Sequence, residues 1–99
     1  MRRAVFLASV RAELLAIRAY IAEQSGSLSV AQHFMALLRE QCHRLASLPG
    51  ELGRPRPEFG PTIRSFPFRG YVIFFRYAGE CVEIIKIAER HRDVDGSLT

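Results

Sequence analysis

The sequence predicts an α+β domain of order β-α-α-β-β-β, in which a helical hairpin packs on one face of an antiparallel sheet. Three observations carry this expectation. The first half holds two apolar stripes at three-and-four spacing, the mark of amphipathic helices. Residues 49–61 then crowd four prolines and three glycines into thirteen positions, which forbids a helix or a central strand there. Three runs rich in β-branched and aromatic residues follow, separated by tight turns.

The elements follow in order. Arg2 to Ala8 reads as a short strand centred on Val5, Phe6 and Leu7. Ser9 stands where an N-cap belongs, with Glu13 placed to meet the positive end of the helix dipole. Val10, Leu14, Ile17 and Ile21 recur at helical spacing until Gly26 stops the helix as a left-handed C-terminal glycine would. Ser27 or Ser29 caps the second helix, whose stripe runs Ala31, Phe34, Met35, Leu38, Cys42, Leu45 and Leu48, and Pro49-Gly50 ends it. The short connection folds the two helices back on one another, so the hairpin spans about residues 9–48.

After the loop, Thr62–Phe68, Gly70–Tyr77 and Cys81–Ala88 read as strands, giving a sheet over 62–88 and a polar tail over 90–99. Ala78-Gly79-Glu80 turns the last pair antiparallel. Alternation places Val72, Phe74 and Arg76 on one face of the central strand and Tyr71, Ile73, Phe75 and Tyr77 on the other. The face away from the helices is therefore expected to be part apolar and part cationic.

With 99 residues and 48% apolar content, the chain makes a single domain with one real core and no need of staples. Cys42 and Cys81 fall in a helix and a strand and read as buried free thiols. The apolar run after Met1-Arg2-Arg3 breaks at Ser9 and Arg11, too early for a secretion signal, and nothing is long enough to span a membrane. The reading is a cytoplasmic protein with no membrane contact.

Net charge is +4, and Lys86 is the only lysine among fourteen basic residues. Arginine forks suit phosphates and carboxylates, which points to nucleic acid or an acidic protein partner. Common chemistries are missing. There is no phosphate-binding glycine loop of the G-x-x-x-x-G-K type, His33, His43 and His91 lack metal-ligand spacing, and Glu83 has no carboxylate partner at a telling distance in sequence. Neither a metal nor a cofactor is expected. What stands out is arginine on the sheet side of the chain: Arg64, Arg69 and Arg76, then Arg90-His91-Arg92 beside Asp93.

Five segments in order resemble one family. They are Ala12–Tyr20 with Ile21, Leu45–Gly53 with Arg54, Ile63–Phe68, Tyr71–Tyr77, and Val82–Asp93. Together they are similar to the RelE/ParE superfamily of toxins from bacterial type II toxin–antitoxin modules, closer to the ParE branch, across nearly the whole chain. Two positions depart from the ParE pattern: Lys86 replaces an arginine in the last strand, and Glu89-Arg90-His91 precedes Arg92-Asp93.

The resemblance implies the same fold and a hetero-oligomer with a ParD-like antitoxin that wraps over the toxin. On the ParE side it implies a non-catalytic inhibitor of DNA gyrase, with Arg64, Arg76, Arg90, Arg92 and Asp93 as the target-binding set. The RelE side implies a ribosome-dependent messenger-RNA endoribonuclease, with Arg64, Arg90, His91 and Arg92 as its catalytic set. The stretch after Asp93 has no tyrosine for acid–base work, and the loop offers only Arg54 and Arg56 where that branch carries lysines, which favours the gyrase side. An inactive member that only binds an antitoxin is the third reading. Leu14, Ile21, Phe34, Leu38 and Phe74 are the expected antitoxin contacts.

Overall fold

The structure, a computed structural model, describes residues 2–90. The order is β1 (Arg3–Phe6), α1 (Ala8–Ser25), α2 (Leu28–Ser47), β2 (Arg54–Pro55), a 3-10 turn (Pro57–Phe59), β3 (Arg64–Phe68), β4 (Tyr71–Ala78) and β5 (Cys81–Glu89). These residues form one five-stranded sheet of order β1-β5-β4-β3-β2, with the hairpin of α1 and α2 on one face.

The sheet is mixed. Strands β2 to β5 are antiparallel to their neighbours, but β1 lies parallel to β5, Arg3 opposite Cys81 and Phe6 opposite Ile84. The helical hairpin sets this direction. Two antiparallel helices return the chain to the end of the sheet where it started, and the loop and remaining strands bring β5 back in the direction of β1.

Helix α1 starts at Ala8, directly after the strand, with Leu7 at the cap position and no side chain capping it. Ser9 therefore lies inside the first turn, not at the cap. The Leu7 carbonyl accepts from the Val10 and Arg11 amides, so backbone alone makes the entry. Gly26, at φ 70°, closes the helix by donating to the Ala22 carbonyl, and Ser27 caps α2 by accepting from the Val30 amide at 3.2 Å.

The main core lies between hairpin and sheet. Val10, Leu14, Leu38, Cys42 and Leu45 meet Ile73, Phe75, Val82 and Ile84, all at most 2% exposed. Burial pushes the Cys42 thiol up to about 12, with Arg39 pulling weakly the other way. Cys81 is only half-buried. One thiol is accordingly expected to react promptly with a disulfide reagent in the native protein and two in guanidinium; two prompt equivalents in the native protein would contradict this packing.

A second, smaller core occupies the far face of the sheet. Val72, Phe74 and Ala88 are buried there under Phe59 and Ile63, which come from the proline- and glycine-rich stretch and its exit. The Phe59 ring stands edge-on to Phe74 at 5.5 Å. The stretch is thus no free loop: it adds a two-residue edge strand and a 3-10 turn that roofs the sheet.

Candidate functional site

Of the arginines expected to carry function, Arg64 and Arg76 are committed to other groups in this chain, and so is Arg56 of the loop. Arg64, on β3, donates through Nε to the Leu52 carbonyl at 2.8 Å and through Nη2 to the Gly53 carbonyl at 3.2 Å, with Glu51 3.7 Å away. It ties the incoming stretch to the sheet. Arg76 pairs with Glu83 directly across β4 and β5 at 2.5 Å. Arg56 is only 7% exposed; it bonds Glu58 at 2.7 Å and Ser65 at 3.2 Å, and its guanidinium lies over the rings of Phe59 and Phe74. That hydrogen bond, before any other cause, holds the Glu58 carboxyl below the usual range.

Arg90 is exposed, and its amide donates to the Gly70 carbonyl at 2.9 Å. His91, Arg92 and Asp93, with the rest of the polar tail, lie outside the described residues. The structure therefore leaves Arg90 presented to solvent, Arg76 half-exposed within its pair, and Arg64 largely covered.

The expected antitoxin contacts divide. Leu14, Leu38 and Phe74 are at most 2% exposed and belong to the two cores, so they offer a partner little or no surface. A three-and-four stripe marks the face that must be buried, and the sheet already buries it. Ile21 and Phe34 are half-buried; Phe34 stacks between Phe68 and Tyr71 at 5.8 Å from each. The exposed large apolar residues among those described are Leu15, Tyr20, Leu28, Val30 and Leu48.

Leu15 opens a groove of about 260 Å³ that the sequence reading missed. It runs between α1 and α2 on the side away from the sheet, lined by Leu14, Leu15, Arg18, Gln32, Met35, Ala36 and Arg39. Its floor is apolar, and its charged lining is two arginines without a carboxylate. The Leu14-Leu15 doublet was the available signal, since adjacent leucines on a helix cannot both face one core.

A larger cleft of about 360 Å³ lies between α1 and the β4–β5 pair. Glu13 anchors its wall, accepting from Lys86 Nζ and from the Ile87 amide at 2.9 Å each. Glu13 is thus a clamp between helix and sheet, not a partner of the helix dipole. Burial first, then Glu89 and Tyr20, hold the Tyr71 hydroxyl in this cleft above the usual phenol range.

Arg69 is the one described non-glycine residue at positive φ, 45°, and with Gly70 at 88° it makes the β3–β4 turn. Such turns need left-handed backbone at both central positions and favour Asn-Gly; arginine there costs about 1 kcal/mol. Among the described residues no group of His, Cys, Asp and Glu could hold a metal, and no helix is long and apolar enough to cross a membrane.

Comparison with known proteins agrees with this architecture. A solved structure titled "Chromosomal ParDE TA system from P. aeruginosa" superposes with a TM-score of 0.76 at 21% identity, covering 90% of this chain and 96% of that one. A search of curated proteins matched none. The family described as "ParE toxin of type II toxin-antitoxin system, parDE" matches residues 4–94, nearly the whole length, and so the chain belongs to the ParE toxin family.

Proposed function

We propose that this toxin acts without catalysis, by inhibiting DNA gyrase, and that a ParD-like antitoxin silences it by seating on the helical hairpin. The commitment of Arg64 is the observation that weighs most against the nuclease alternative. A phosphate-polarising arginine must aim its fork at the ligand, whereas this one is spent on the Leu52 and Gly53 carbonyls. The raised Tyr71 hydroxyl is likewise no candidate base.

The groove between the helices supports the antitoxin part. Leu15, Met35 and Ala36 offer an apolar seat for one face of an amphipathic helix, and Arg18 and Arg39 offer charge to acidic residues along its flank. The target-facing residues of the described chain are then those left to solvent, Arg76 and Arg90; Arg92 and Asp93, proposed for the same set, follow Arg90 in sequence.

The experiment is a supercoiling and cleavage assay of purified gyrase with the wild-type protein, run beside a translation extract. Gyrase is expected to lose supercoiling at stoichiometric toxin while messenger RNA in the extract stays whole. Cut messenger RNA with fully active gyrase would overturn the reading in favour of the endoribonuclease. Arg64→Ala is not a clean probe of either, because it also frees the 51–53 segment.

A further inference from the structure

We infer that Arg44 and Arg69, with Arg90 beside them, form a phosphate-binding corner that takes the phosphodiester backbone of a nucleic acid. Arg44 comes from the last turn of α2 and Arg69 from the β3–β4 turn, yet both line one cleft of about 240 Å³ with Gln41, Phe68, Leu37 and Glu40. The Arg90 amide bonds the Gly70 carbonyl, which puts a third arginine at the same end of the sheet. Unlike Arg56, Arg64 and Arg76, none of these three has a carboxylate partner among the described residues.

Three further points favour a ligand. The turn holds Arg69 in a left-handed backbone that glycine or asparagine would adopt more easily, so stability alone does not account for an arginine there. Its guanidinium lies 5.6 Å from the Phe68 ring, a stacking surface that orients the fork. The negative end of α2, which would repel an anion near Arg44, is already met by Arg2, whose guanidinium donates to the Ala46, Leu48 and Gly50 carbonyls. Glu40 is the one carboxylate in the cleft, and it disfavours a small free anion more than a polyanion that can also reach Arg90.

The inference goes beyond gyrase inhibition and does not depend on it, since it is read on the toxin and nucleic acid alone. The probe is a fluorescein-labelled DNA duplex followed by anisotropy, with a labelled single-stranded RNA and inorganic pyrophosphate as separate arms. Wild type is expected to bind the duplex or the RNA with salt-dependent affinity, and pyrophosphate is expected to compete only weakly. Arg69→Gly is the key variant, because glycine suits the turn and keeps the fold. It is expected to weaken binding about tenfold and to flatten the log–log salt slope by about one, with an unchanged or higher Tm. Arg44→Gln should do the same, and both together should lower the slope by about two. Wild-type affinity and slope in Arg69→Gly, tighter binding to pyrophosphate than to either nucleic acid, or no binding by the wild type would each overturn the inference.

Discussion

Phe74→Ala is expected to lower the stability of the fold by about 3–5 kcal/mol, the cost of emptying a fully buried aromatic site. The side chain is 0% exposed and is the centre of the second core. Its ring carries Phe59 at 5.5 Å and sits under the Arg56 guanidinium at 5.6 Å. Removing it leaves a cavity and strips Arg56 of one of the two rings that shield its charge. The roof over residues 56–63 then loses its anchor, and its backbone, held in shape by the Arg56–Ile63, Phe59–Arg56, Gly60–Pro57 and Ile63–Gly60 hydrogen bonds, cannot collapse into the gap. A urea titration should show the midpoint falling by at least about 1 M at a near-constant m-value. Phe59→Ala, which removes a half-buried ring from the same contact, should cost clearly less. Equal midpoints for wild type and Phe74→Ala would mean that the far face of the sheet is not a core.

Gly53→Ala is expected to cost about 3 kcal/mol or more, although it adds a single methyl group. Gly53 sits at φ 76°, which an L side chain adopts reluctantly. A Cβ there would stand 2.6 Å from the Ser65 carbonyl oxygen and 2.9 Å from the Phe75 ring. Neither neighbour can yield: the first is backbone in the β2–β3 ladder, and the second is a core residue at 0% exposure. The chain must lift at Gly53, which draws the Leu52 and Gly53 carbonyls away from Arg64 and the Leu52 amide away from the Tyr77 hydroxyl, now 2.8 Å apart. Calorimetry should show a Tm lowered by roughly 10 °C or more. Gly50→Ala, at a comparable φ of 81° but with no atom within 4 Å, is the control and should cost about 1 kcal/mol.

These two sites also show where sequence reading stops. Gly26, and a cap at Ser27 or Ser29, were legible as punctuation because a left-handed stop and a hydroxyl cap act over a few bonds. The strands were legible because aromatic and β-branched runs between tight turns have few other uses. The direction of β1 was not, since four residues of apolar alternation say nothing about which neighbour they pair with or which way it runs. Composition showed that residues 49–61 could not be helix or central strand, but not that they fold back over Phe74. That missing path misled the reading of the site. Arg64 reads as a free cation until the carbonyls of Leu52 and Gly53 are known to lie against it, and Phe74 reads as partner-facing until its roof is seen. Leu14 and Leu38 are taken up by the core for a related reason, because one apolar stripe serves the sheet before any partner. The groove at Leu15 and the corner at Arg69 depend on contacts between separate elements, which no local pattern encodes.

The parallel pairing of β1 with β5 has a consequence in time. Strand β1 leaves the ribosome well before its sheet partner, residues 81–84, which are among the last of the described chain to emerge. Until then the hairpin stripe of Val10, Leu14, Leu38 and Leu45 has no sheet to cover it, and Phe75 has no strand on its β5 side. Contacts this distant in sequence form late and together. A domain built this way lacks its full sheet until β5 has been made. Stops or frameshifts upstream of β5 should therefore yield an unfolded chain for proteases.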